Sequence, residues 1–109
     1  MVPRKKIYIA GPLTTGCAPV NVRVAMDAHL TLAAHGYAPF CPHFSWFVDP
    51  VGEQLPYESW MEIDFAFVTV CDAVLRLPGE SPGADREVRL ATELGIPVYH
   101  SLDELLANV

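Results

Sequence analysis

Apolar residues along the chain switch between two spacings. Short runs of β-branched and aromatic residues alternate with longer stretches where apolar positions recur every three or four residues. The first run, KIYIAG, ends at Gly11-Pro12 and predicts a buried strand. The loop TTGCAPVN follows. Asn21 is placed to cap a helix running to about Ala34, with Ala25, Ala28 and Leu32 on one face and Gly36 as its stop. YAPFCP predicts a second strand. From His43 to Pro56 the chain is aromatic and punctuated by Pro and Gly, which predicts an ordered loop. A helix from about Tyr57 to Val70 is followed by AVLRL as a third strand. A helix beginning near SPGADRE, a fourth strand at PVYH and a short helix in SLDELLAN, capped by Ser101, complete the pattern.

Strands that alternate with helices imply a parallel sheet covered on both faces. The expected fold is α/β, a small flavodoxin-like or Rossmann-like three-layer sandwich with a four-stranded parallel sheet. One domain is expected to span residues 1–109. In such sheets ligands bind beyond the carboxyl ends of the strands. The segments expected there are Gly11 to Gly16, Pro42 to Phe47 and Pro78 to Gly83.

Composition narrows the partners. An apolar content of 51% supports a true core, and the formal charge is −6. Arg4, Lys5 and Lys6 crowd the N-terminus, so no basic face is visible and polymeric nucleic acid is not an expected partner. A small molecule or a protein is. Cys17, Cys41 and Cys71 are far apart, and no CxxC pair exists. Neither a zinc knuckle nor a disulfide framework is implied, and a cytoplasmic location fits. The histidines have no metal-ligand spacing, so neither metal nor cofactor is expected. His29 and His35 are expected to be partly exposed on the first helix. No apolar run is long enough to cross a bilayer, so no membrane partner is expected.

Two carboxylates break the amphipathic pattern. On a wheel of about 100° per residue, Leu90, Ala91 and Leu94 form an apolar stripe that contains Glu87. Asp85, Arg89 and Glu93 lie opposite, spaced for pairing along the helix. In the preceding helix Trp60, Met61, Ile63, Phe67 and Val68 form an apolar face with Asp64 near its centre, while Glu58 and Glu62 face away. Burying an unpaired carboxylate costs several kcal/mol or forces it to take up a proton, which is easier to understand in a site than in a core. Structural roles are open too: Asp64 could cap or pair with Arg76, and Glu87 lies where the helix dipole favours negative charge. The loop before Glu87 adds a binding device. Ser81 can cap the helix, Pro82 suits its first position, and Gly83 permits close backbone approach. In PHFSWF, His43, Phe44, Trp46 and Phe47 could stack on or bond a base, or instead form a local mini-core or a subunit contact.

The order IYIAGP, Asp64, CDAVLRL, SPGADRE and ATELGIPV resembles the nucleoside 2-deoxyribosyltransferase-like superfamily, most of all its small single-domain members. That group includes deoxyribosyltransferases and nucleoside 5′-monophosphate N-glycosidases. The resemblance implies cleavage or transfer at an N-glycosidic bond, with Glu87 as nucleophile and Asp64 handling protons or positioning substrate. It implies that Tyr8 lies against the nucleophile and sugar, and that Ser81 and Gly83 contact the sugar or its phosphate. Gly11, Pro12, Thr14, His43, Trp46 and Arg76 complete the candidate binding set. It also implies a homo-oligomer, a dimer or tetramer. The loop GPLTTG departs from the pattern of monophosphate-specific members, which tend to carry an arginine where this chain has Thr14 and Thr15. Arg76 or Arg86 could substitute, or Arg76 could pair with a carboxylate. A phosphoribohydrolase of the lysine-decarboxylase-like type is a second enzymatic reading, although its Pro-Gly-Gly start is missing. A nucleotide-sensing or protein-interaction module without turnover is the non-enzymatic alternative.

Overall fold

A computed structural model describes residues 3–47 and 55–109, apart from the side chains of Trp46 and Phe47. Strands and helices alternate in the order β1 (Lys6–Ala10), α1 (Ala18–Ala34), β2 (Ala38–Phe40), α2 (Tyr57–Val68), β3 (Ala73–Arg76), α3 (Pro82–Glu93), β4 (Val98–Tyr99) and α4 (Leu102–Asn108). The four strands form one sheet in the order β2-β1-β3-β4. Every pairing is parallel, with Tyr8 beside Phe40 on one edge of β1 and Val74 on the other. The chain leaves β1 toward one side of the sheet and later returns to β3 on the opposite side. That reversal opens a crevice at the carboxyl ends of β1 and β3.

Strand alternation sorts the core into two layers. Ile7, Ile9, Ala73 and Leu75 point to one face and pack with Ala25, Ala28 and Leu32 of α1 and Leu105 of α4. Tyr8, Ala10 and Val74 point to the other, against Val68 of α2 and Ala84 and Ala91 of α3. Tyr8 therefore emerges on the face that carries both helices with inward carboxylates. This follows from a period of two in KIYIA and needs no further device.

Several local expectations are corrected. The first helix begins after Cys17, not Asn21, because Pro19 suits the first turn. Asn21 lies inside the helix, and its amide donates to the carbonyls of Leu13 (3.0 Å) and Thr15 (2.8 Å), which fixes the loop after β1. The aromatic segment opens as a 3-10 helix, Pro42–Phe47, and residues 48–54 of that predicted loop lie outside the described residues. The second helix stops at Val68, two residues early, where Val70 is exposed. Ile63, Phe67 and Leu94, expected in apolar faces, are 41%, 43% and 51% exposed. Asp85 does not pair along α3 but reaches Arg76 at 3.1 Å, so Arg76 does not pair with Asp64. No described helix is long and apolar enough to cross a membrane.

Candidate active site

The site is built by small residues. Ser81 starts α3, its hydroxyl accepting from the Ala84 amide at 3.1 Å, with Pro82 in the first turn. Ala84, Glu87 and Ala91 then fall on one stripe and are all buried. Two alanines let the helix approach the sheet closely, and this delivers the intervening Glu87 onto β1. There Tyr8, fully buried, donates its phenolic hydrogen to Glu87 Oε2. Tyr8 is itself held by stacking: its ring lies 5.7 Å from Phe40, which stacks 4.2 Å from Phe67 of α2.

Asp64 approaches from α2, half-buried, one turn after buried Met61. Its carboxyl meets that of Glu87 closely enough to share hydrogen bonding. Burial raises both above the ordinary carboxylate range. For Glu87, the negative charge of Asp64 adds to the effect while the Tyr8 hydroxyl opposes it. The two groups titrate as a unit, and the deeper Glu87 is pushed further. Near neutral pH the pair holds a proton that isolated carboxylates would have lost. Tyr8 keeps its own proton, because burial and the adjoining carboxylates raise it further still.

These groups open into a cavity of about 600 Å³. Its walls come from the loop after β1 (Gly11, Leu13, Thr14, Thr15), the 3-10 helix (Pro42, His43, Ser45), α2 (Tyr57, Trp60, Met61, Asp64) and the start of α3 (Ser81 to Ala84, Glu87). The structure thus brings Glu87, Asp64, Gly11, Thr14, His43, Ser81 and Gly83 to one cavity, with Tyr8 behind Glu87. Pro12 contributes a carbonyl, which accepts from His43 Nε2 at 2.9 Å. Burial lowers the basicity of His43, so the ring is neutral and acts as a latch between two loops. Its other nitrogen faces the Cys41 sulfur at 3.6 Å. Arg76 does not line the cavity; it donates to Asp85 and to the carbonyls of Leu77 and Gly79. The Trp46 side chain lies outside the described residues. Among the described residues no cluster of three or more metal-ligating side chains occurs.

Tyr57, Trp60 and Met61 line the cavity although only the apolar character of the last two was read from the sequence. The available signal was their spacing of seven, four and three residues before Asp64, which puts all four on one helical stripe. Gly11 has a packing reason to be glycine: a Cβ there would lie 2.8 Å from Leu77 Cβ. Gly11→Ala should cost about 1–3 kcal/mol in denaturant unfolding, because neither backbone can yield without moving a strand end.

Comparison with known proteins agrees with this fold. The family model "Domain of unknown function (DUF4406)" matches residues 5–100. No curated protein matches. A conserved protein from Enterococcus faecalis V583 superposes with a TM-score of 0.73 at 18% identity, over 98% of this chain and 77% of that one. The 2-deoxyribosyltransferase of Bacillus psychrosaccharolyticus superposes with a TM-score of 0.64 at 23% identity, over 85% of this chain and 69% of that one. The Clostridium botulinum CMP N-glycosidase gives 0.60 at 18% identity, over 96% and 82%. At these identities the likeness is one of fold. The chain belongs to the DUF4406 family and has the fold of the nucleoside 2-deoxyribosyltransferase-like proteins.

Proposed function

We propose that this protein cleaves an N-glycosidic bond of a nucleoside or nucleotide, or transfers its sugar, with Glu87 as nucleophile and Asp64 as proton donor. The observation that carries the reading is a half-buried carboxyl, Asp64, beside a buried one, Glu87, that is also bonded by Tyr8, in a cavity at the sheet's switch point. The folds shared with a deoxyribosyltransferase and an N-glycosidase support it.

The chemistry uses the shared proton. As the base departs, positive charge develops at the anomeric carbon, and an ionised Glu87 beside that carbon is stabilised. The Tyr8 hydrogen bond favours the same ionised form. The proton then rests on Asp64, which delivers it to the leaving base. A glycosyl ester on Glu87 results, and water or a second base opens it with Asp64 now accepting a proton. Trp60, Met61 and Leu13 provide apolar wall that keeps water from competing with these bonds.

The test is a panel of ribonucleosides, 2′-deoxyribonucleosides and their monophosphates, with free base measured by chromatography. Release from at least one member, abolished in Glu87→Ala, is the expected result. Tight binding without release from any member would replace the enzyme with a sensor.

A further inference from the structure

We infer that the cavity takes a nucleoside without a 5′-phosphate, and that Glu58 enforces this choice by holding Arg86 off the cavity. The inference rests on the N-glycosidic reading of the site and narrows it.

The chain has seven Lys and Arg residues, and each has a place. Arg4 donates to the carbonyls of Ala33 and Tyr37, with Lys5 and Lys6 exposed beside it at the amino end of β1. That is the end of the sheet away from the cavity. Arg23 pairs with Asp27 on α1, and Arg89 is exposed on α3. Arg76 is closed in by Asp85 and two carbonyls. Arg86 lies against α2, its guanidinium 5.4 Å from the ring of Phe65 and 5.8 Å from that of the cavity-lining Tyr57. It donates through both terminal nitrogens to the two oxygens of Glu58, at 2.7 and 3.1 Å. This two-pronged pairing fixes direction as well as charge. None of the seven lines the cavity, whose charged lining among the described residues is Asp64 and Glu87. Residues 48–54, which precede α2, contain no Lys or Arg but do contain Asp49 and Glu53.

A phosphate also needs several amide donors, and the start of α3 would be the place to find them. They are already used. Pro82 has no N–H, the Ala84 amide is bonded to the Ser81 hydroxyl, and the Asp85 amide is bonded to the Ser81 carbonyl. The Gly83 amide is left. One amide suits a sugar hydroxyl. A phosphate of about −1.5 to −2 charge would instead face the ionised member of the Asp64–Glu87 pair with no cation among the cavity-lining residues described. Like charges brought together at a partly desolvated surface repel more strongly than in water.

The experiment compares kcat/KM for a nucleoside and its 5′-monophosphate, same base and sugar, in the wild-type protein and in Glu58→Gln. The nucleoside should be favoured by on the order of tenfold or more, equivalent to about 1.4 kcal/mol. Glu58→Gln should narrow that gap several-fold, because it unties Arg86. A change in fold stability alone would move both substrates together and leave their ratio fixed. A monophosphate cleaved as well as the nucleoside, or better, overturns the inference. An unchanged ratio in Glu58→Gln removes Glu58 from it. If neither compound releases base, the glycosidic reading fails, and the rise in Tm with each compound then decides the charge argument. Stronger stabilisation by the nucleoside upholds it; stronger stabilisation by the monophosphate overturns it.

Discussion

Glu87→Gln should abolish base release, by at least about a thousandfold in kcat, while making the protein more stable. The amide still accepts the Tyr8 hydrogen bond and can donate to Asp64, so the packing of α3 against β1 is kept. What it cannot do is attack carbon or ionise. The stability gain has a sign fixed by linkage. The folded protein holds the pair's carboxyl proton above the pH at which an unfolded carboxylate loses it. Wild-type stability from this pair is therefore complete below the unfolded carboxylate range and is lost as pH rises through the raised folded range. Glutamine does not pay that cost. The difference in stability between Glu87→Gln and wild type should be near zero in acid, grow as pH rises above the ordinary carboxylate range, and level off above the raised folded range at roughly 2 kcal/mol. Thermal melts from pH 4 to pH 9 measure it. A variant that is equally destabilised at every pH would contradict the burial argument.

Asp64→Asn should slow base release by about a hundredfold to a thousandfold, the usual worth of a positioned acid. The loss should depend on the leaving group. A base needs a proton as it leaves, whereas nitrophenolate leaves unaided. Assays with a matched nucleoside and nitrophenyl glycoside should show a large defect on the first and a small one on the second. Equal defects on both would make Asp64 a positioning residue for the sugar and not the proton donor. The substitution also removes a charge beside Glu87, so the remaining carboxyl should ionise at lower pH and move the acidic limb of the pH–rate profile downward.

The sheet, its helices and the inward placement of Glu87 were legible because they follow from local periods. Alternation in KIYIA and three-to-four spacing through Ala84, Glu87 and Ala91 are properties of neighbouring residues. What the sequence did not disclose are pairings across the fold. Asp85 had a good partner on its own helix in Arg89, yet it reaches Arg76 on β3, because that strand end passes the first turn of α3. Asn21 is a fair capping residue by type, but the turn begins earlier and frees its amide to tie down the loop after β1. His43 looks like a base contact in PHFSWF, although both ring nitrogens face protein groups on two other segments. Exposure of Ile63 and Phe67 was equally invisible, since a helical wheel gives the side of a helix and not how far the sheet beneath it extends. The meeting of Tyr8 with Glu87 spans 79 residues, and apart from the family resemblance only the register of the sheet could have announced it.

The most direct test of the central claim is mass spectrometry of the protein after incubation with a nucleoside bearing fluorine at C2′, which slows opening of a glycosyl ester. The account predicts one added fluorinated sugar, mapped by peptide digestion to Glu87. Base release with no adduct, or an adduct on any other side chain, would contradict it.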